Sequence, residues 1–214
     1  MSAILYLSVL AILIGITYSL IPNMKFTFNE KVWNSHLPTF HQSIQEMKCT
    51  GLKLKLCYNN NEWIILTRHE TAQLRSAIES ISKKPISLWL ELDQRYGFLR
   101  LMSLVKILKA SNCHDRVFVE TKSYLAAAVL RFFGVPIALW YYEKMNKLHN
   151  FVYKCYYHLI FLYLKVTIIS IHPDQVDQIL AGEHSVDFVV SVDRSGNEAE
   201  LIKKSVSAIA VPFV

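Results

Sequence analysis

The fold is decided by residues 87–142, SLWLELDQRYGFLRLMSLVKILKASNCHDRVFVETKSYLAAAVLRFFGVPIALWYY, in which three β-rich runs alternate with two helical patterns. The β-rich runs are residues 87–93, 116–122 and 136–142, and the amphipathic helix patterns between them are residues 98–110 and 123–133. Strand, helix and strand in succession predict parallel strands that are joined by helical crossovers.

The same alternation continues in both directions from this segment. The further strand candidates are residues 25–29, 52–58, 62–68, 166–172, 187–193 and 208–213, and the further helix candidates are residues 37–48, 70–82, 143–164, 174–181 and 197–205. Since no low-complexity linker interrupts the pattern, one domain is predicted for residues 24–214.

Two α/β architectures are compatible with this pattern. A closed (β/α)8 barrel usually takes ~250 residues and at least ~200, so an open doubly wound sheet fits the length more comfortably. The open fold usually carries a glycine-rich phosphate loop, however, and neither G-x-G-x-x-G nor G-x-x-x-x-G-K-[ST] is present. Only residues 59–61, three asparagines, separate the second and third strands, which predicts a tight hairpin.

The composition excludes several classes of protein. The 214 residues are 52% hydrophobic, with 23 Lys and Arg against 17 Asp and Glu, 6 Gly and 6 Pro. These values rule out a disordered tail, a collagen-like chain and a small disulfide scaffold. No predicted helix carries a dense basic cluster, so no nucleic-acid partner is expected. The 4 cysteines have no Cys-x-x-Cys spacing, which argues against a zinc site.

The N-terminus is predicted to be a membrane anchor. Residues 3–21, AILYLSVLAILIGITYSLI, are uncharged and about as long as the roughly 20 apolar residues of a transmembrane helix. We therefore expect residues 1–23 to form one transmembrane signal anchor in an endomembrane or the plasma membrane, with the bilayer as a partner. A cleaved signal peptide would instead give a secreted protein, but a basic n-region is missing. Lys25 and Lys31 follow the segment, which favours a cytosolic body.

Four stretches resemble the glycerophosphodiester phosphodiesterase (GDPD) family in order and spacing. Residues 35–70, SHLPTFHQSIQEMKCTGLKLKLCYNNNEWIILTRHE, are similar to its N-terminal half, where Gly-x-Glu-x-Asp lies on the second strand and His-Asp ends the third. Residues 84–93, KPISLWLELD, resemble its Glu-x-Lys strand, and residues 115–142 and 186–213 resemble later segments. The resemblance implies a (β/α)8 TIM-like barrel, slightly short and irregular, that hydrolyses glycerophosphodiesters with a divalent cation, three carboxylates and two histidines.

Two lysines stand where the family has carboxylates. The predicted first strand, residues 25–29, has neither His nor Arg, and Lys53 and Lys55 match the Glu and Asp of the second strand. A lysine offers no lone pair to a metal, and its charge repels a cation within ~4–6 Å. We therefore expect no cofactor, with Ca²⁺ or Mg²⁺ bound only if the site is active.

The catalytic candidates that remain are Glu91 and His69. Glu91 matches the third carboxylate, while the second histidine matches Thr67, or His69 after a two-residue slip that preserves the facing of the strand. Residues two apart on a strand share a face, so one binding pocket is predicted for Lys53, Lys55, Glu91 and Asp93. The two lysines could instead form the solvated face of a half-exposed strand.

The preferred hypothesis is a membrane-anchored, GDPD-like pseudoenzyme that binds an anionic phospholipid, a glycerophosphodiester or a protein partner. One alternative is an extracellular interaction protein of the menorin type, which has an Asn-Ser pair like Asn34-Ser35. Another is an active, diverged phosphodiester hydrolase with His69, Glu70, Glu91 and Asp93 in a reorganised metal site. The aromatic helix predicted at residues 143–164 either packs on the sheet or lies at a membrane interface.

Overall fold

The computed structural model describes residues 3–29, 31–35, 51–92, 94–111, 114–141, 147–173, 176, 187–191 and 206–212. The strands are β1 (Val32–Ser35), β2 (Gly51–Asn59), β3 (Glu62–Leu66), β4 (Thr71–Gln73), β5 (Ser87–Leu92), β6 (Val117–Thr121), β7 (Ile137–Tyr141), β8 (Ile168–Ile171), β9 (Asp187–Ser191) and β10 (Ala208–Pro212). The α-helices are α1 (Ala3–Leu20), α2 (Leu74–Ser82), α3 (Phe98–Ala110), α4 (Tyr124–Phe132) and α5 (Lys147–Tyr163).

Eight of these strands form a closed parallel barrel. Their order is β1-β2-β5-β6-β7-β8-β9-β10, and β10 pairs with β1 in the register Trp33↔Ala210. The pairing Asn34↔Leu52 joins β1 to β2 and closes the circle. The TIM-like barrel that the sequence predicts is therefore confirmed, and the open sheet is excluded.

The predicted hairpin is an antiparallel extension of β2. β3 pairs antiparallel with β2, and β4 pairs antiparallel with β3. Asn60 and Asn61 make the turn with φ values of 47° and 63°, the left-handed region that asparagine tolerates. A helix is predicted for residues 70–82, but the short strand β4 occupies the start of this segment. The helix itself, α2, begins at Leu74.

The prediction of a first strand at residues 25–29 is wrong, because the first strand is β1 at Val32–Ser35. Phe26 is buried, and its ring packs edge-on against Phe118 with 4.9 Å between centroids. Phe28 packs against the same ring at 5.7 Å. The alternating aromatics therefore close the end of the barrel where the strands begin, rather than pairing in the sheet. The predicted helices at residues 37–48, 174–181 and 197–205 lie outside the described residues.

Apolar side chains pack in two layers, inside the barrel and between the sheet and its helices. The inner cluster includes Trp33, Trp89 and Phe118, and the outer cluster includes residues of α2, α3 and α4 such as Leu74 and Leu104. Side chains that alternate along a barrel strand face inward and outward in turn. The polar residues that follow Trp89 and Phe118 by two positions therefore lie on the inner face.

The N-terminal helix α1 contacts the barrel near its C-terminal end, where the hydroxyl groups of Thr17 and Tyr163 are hydrogen-bonded. All side chains from Leu7 to Leu20 are exposed. The buried guanidinium of Arg131 secures the segment after the helix, donating hydrogen bonds to the carbonyl oxygens of Pro22 at 3.0 Å and Leu164 at 2.9 Å. Across the described part of the chain, no helix combines the length and the hydropathy that a membrane crossing requires, so the predicted transmembrane helix is unsupported. The division at residues 23 and 24 stays a prediction.

Candidate functional site

A buried ion-pair network lies inside the barrel, above the inner aromatic cluster. The Nζ atom of Lys53 on β2 is 2.9 Å from Glu91 Oε2 on β5 and 3.0 Å from Glu120 Oε2 on β6. The three residues come from three adjacent strands, and the registers Lys55↔Glu91 and Glu91↔Glu120 set their heights. One ammonium group therefore bridges two carboxylates within the barrel.

The charge on Lys53 is maintained by these two partners. Burial disfavours the charged form, but the negative charges of Glu120 and Glu91, with hydrogen bonds to both, outweigh it and raise the pKa of Lys53 above the usual 10.5. The ammonium also lies 4.4 Å from the centre of the Trp89 ring, within the range of a cation–π contact. A lysine that is charged at neutral pH is an electrostatic partner and is unsuited to nucleophilic chemistry.

Glu120 is the most enclosed member of the network, with 1% of its surface exposed. Trp89 Nε1 donates to Glu120 Oε2 at 2.7 Å, and the hydroxyl of Ser170 on β8 donates to Oε1. Because β7 separates β6 from β8, the Ser170 contact crosses the inside of the barrel. Both carboxylate oxygens of Glu120 are therefore engaged by protein donors.

The pocket residues proposed from the sequence lie at different depths. Lys53 is buried and Glu91 is 26% exposed, while Lys55 is exposed two residues further along β2. Asp93 lies outside the described residues. His69 occupies the exposed turn between β3 and β4 and takes no part in the network. The structure thus joins Lys53 to Glu91, but it does not bring His69 to them.

Glu120 was missed by the sequence analysis, although a signal for it exists. The five residues of β6, Val117–Thr121, are all buried, and a charged residue in a fully buried strand needs an oppositely charged or hydrogen-bonding partner. Glu120 also follows Phe118 by two positions and so shares its inward face. What the sequence could not supply was the register that places Glu120 beside Glu91.

The barrel mouth carries a second basic position. Lys122 follows Glu120 by two residues and is exposed, with its Nζ atom 4.6 Å from the centre of the Trp140 ring on β7. Lys55 on β2 and Lys122 at the end of β6 thus place one ammonium group on each side of Glu91, which lies on the intervening strand β5. The rim is therefore suited to an anionic ligand.

The first barrel strand lacks the family's His-Arg pair, as the segment at residues 25–29 does. β1 reads Val-Trp-Asn-Ser, and its Trp33 ring fills the barrel interior. A Cβ atom on Gly51 would lie only 2.7 Å from that ring, so glycine at the start of β2 makes room for the tryptophan.

The described residues around Lys53 do not fit a divalent cation. Within the described residues, no group of three or more His, Cys, Asp and Glu side chains is placed to hold one. The point between Glu91 and Glu120 is taken by an ammonium group that supplies no lone pair. A Ca²⁺ site needs six to eight oxygen ligands, which is more than the two carboxylates of Glu91 and Glu120 supply.

No protein family and no curated protein matches the sequence. Solved structures do match the fold. A glycerophosphodiester phosphodiesterase from Parabacteroides distasonis has a TM-score of 0.61 and 15% identity, over 86% of this chain and 93% of the other. An Oleispira antarctica phosphodiesterase in complex with its product sn-glycerol-3-phosphate has a TM-score of 0.62 and 14% identity, over 91% and 94%.

A neighbour with a lower TM-score is a phospholipase C. The calcium-dependent phosphoinositol-specific phospholipase C of a Pseudomonas species has a TM-score of 0.54 and 12% identity, over 88% of this chain and 91% of the other. Several matching structures are glycerophosphodiester phosphodiesterases, and the chain shares their TIM-barrel fold, as its sequence resemblance predicts. At sequence identities of 12–15%, the similarity to these structures shows a shared fold and nothing more.

Proposed function

We propose that this chain is a GDPD-like barrel without phosphodiesterase activity, in which the ammonium group of Lys53 replaces the divalent cation of its relatives. One observation carries the proposal, namely that Lys53 Nζ lies within 3.0 Å of both Glu91 and Glu120. Metal catalysis depends on a cation that polarises a phosphoryl oxygen or activates water. A lysine ammonium does not generate a hydroxide nucleophile, so the network holds the barrel together without this chemistry.

The proposed role is to bind an anionic phospholipid headgroup or a glycerophosphodiester at the barrel mouth. Lys53 is buried inside the network, so the proposed binding groups are Lys55 and Lys122, which are exposed at the mouth, with Trp140 beside Lys122. Lysine is a common partner of phosphate groups as a point charge. The sn-glycerol-3-phosphate bound by the Oleispira antarctica neighbour gives the class of ligand to try first.

We also propose that α1 attaches the chain to an endomembrane or the plasma membrane. Its exposed side chains between Leu7 and Leu20 include no charged residue, and a helix that is apolar on all sides is stable only when it is buried in protein or lipid. In this proposal the chain associates with the bilayer through residues 3–21, and flotation of the full chain with lipid vesicles tests it.

The proposal of inactivity is tested by hydrolysis of glycerophosphocholine by the full chain with Ca²⁺ or Mg²⁺. We expect the same rate with the wild-type chain, with Glu91→Gln and without protein. A metal-dependent rate that Glu91→Gln abolishes would instead support the active, diverged hydrolase.

Calorimetric titration with sn-glycerol-3-phosphate and with glycerophosphocholine tests the binding role. Lys55→Met and Lys122→Met are each expected to weaken binding several-fold, because each removes one ammonium group from the rim. Lys83→Met is the matched control, since Lys83 is an exposed lysine at the end of α2, away from the mouth. Equal affinities for the three variants would eliminate the mouth as the binding site and favour a protein partner.

A further inference from the structure

The exposed apolar residues of the barrel are confined to one flank. Outside α1, the large exposed apolar side chains among the described residues all lie on α3, α4 and α5: Phe98, Leu99, Leu125, Phe132, Tyr156, Leu159 and Leu162. The three helices are neighbours, since α3 packs on α4 and the Tyr124 and Tyr156 rings join α4 to α5 at 5.4 Å. We call this surface the α3–α5 flank.

The flank continues into α1. The hydroxyl groups of Thr17 and Tyr163 are hydrogen-bonded, and the rings of Tyr18 and Tyr163 lie 6.3 Å apart. Between α1 and the flank is a groove of about 270 Å³. Its lining carries no charged side chain: Thr17, Ile21, Phe98, Ala128, Val129, Phe132, Phe133, Tyr163 and Leu164. One uncharged surface therefore runs from α1 onto the barrel.

Two ammonium groups border this surface. Lys165 Nζ lies 4.5 Å from the centre of the Tyr18 ring and donates a hydrogen bond to the carbonyl oxygen of Ile21 at 2.7 Å. Lys109 Nζ lies 5.8 Å from the centre of the ring of Phe133, which lines the groove. Lysines and tyrosines beside apolar surface are typical of side chains at the level of lipid headgroups.

We propose that the α3–α5 flank rests on the same bilayer that holds α1, with an acyl chain of an anionic phospholipid in the groove and its headgroup near Lys109 and Lys165. This inference depends on the membrane association proposed above. A lipid fits better than a second copy of the chain, because α1 is exposed on every side. Lipid covers all sides of an apolar helix, whereas a protein interface would leave some of them in water.

Photo-crosslinking of the full chain on vesicles of phosphatidylcholine and phosphatidylserine tests the inference. Benzoylphenylalanine replaces Leu159 or Leu162 on the flank, which are 66% and 67% exposed, so the substitutions leave the core intact. The matched control replaces Ser76, which is exposed on α2 outside the flank. We expect several-fold more phospholipid adduct from positions 159 and 162 than from position 76, and more adduct with phosphatidylserine than with phosphatidylcholine alone.

The outcomes separate this inference from the proposal on which it rests. If the chain floats with vesicles but positions 159 and 162 give no more lipid adduct than position 76, the flank does not contact lipid, although the anchor does. Adducts between two copies of the chain would overturn the inference in favour of a protein interface. If the chain does not float at all, the membrane association fails and the inference fails with it.

Discussion

Removal of the Lys53 ammonium is the perturbation that bears most on the proposed network. Lys53→Met keeps the length of the side chain but leaves Glu91 and Glu120 facing each other without a cation. Breaking a buried ion pair by removing one partner costs about 3–5 kcal/mol. The lower end applies here, because Trp89 and Ser170 still donate to Glu120 and Glu91 is 26% exposed. A loss of about 3 kcal/mol lowers the Tm by roughly 6–12 °C in a domain of this size.

Urea unfolding followed by circular dichroism, together with thermal melts, gives this loss directly. Lys55→Met is the matched control, since it removes an exposed lysine on the same strand, and we expect a change within about 0.5 kcal/mol. A Lys53→Met loss no larger than that of Lys55→Met would refute the network as a structural element.

Two further predictions follow from the same interior. The free energy of unfolding of the wild-type chain should fall as the pH rises above 10.5, the ordinary pKa of lysine. Because the pKa of Lys53 is raised in the folded state, its stabilising contribution is complete below that pH and disappears as the pH passes the folded pKa. Urea unfolding on both sides of pH 10.5 measures this loss, and a flat profile would contradict it. Gly51→Ala should lower the free energy of unfolding by about 1–3 kcal/mol, because the new methyl group crowds the Trp33 ring. Gly97→Ala is the control, since nothing lies within 4 Å of its new Cβ atom. Equal losses of stability for the two variants in thermal melts would count against this packing.

The barrel could be predicted from the sequence because its strands and helices alternate with clear boundaries. Residues 87–93, 116–122 and 136–142 were each predicted to within a residue or two of β5, β6 and β7. The first strand could not be predicted in this way. Phe26 and Phe28 alternate with polar residues as in a strand, but their rings pack against Phe118 at the end of the barrel. Sequence periodicity reports which side chains are buried, and it does not report what buries them.

The candidate site was only partly accessible to sequence reasoning. The substitution of Lys53 for a family carboxylate pointed to the inner face of β2, and the structure places its amine between two carboxylates. The partner Glu120 is 67 residues away along the chain, and only the β5–β6 register places it beside Glu91. Long-range register depends on the whole closed sheet, which no local pattern contains.

The central claim is that an ammonium group has taken the place of a metal ion, and a calcium titration of the wild-type chain and of Lys53→Glu, followed by thermal unfolding, tests it most directly. Lys53→Glu places a third carboxylate beside Glu91 and Glu120, and hard oxygen ligands are those that Ca²⁺ prefers. Ligand binding to the folded state adds about 2.7 kcal/mol at one hundred times the Kd. We predict that calcium raises the Tm of Lys53→Glu and leaves the wild-type Tm unchanged. A wild-type Tm that rises with calcium, and no longer rises in Glu91→Gln, would contradict the account.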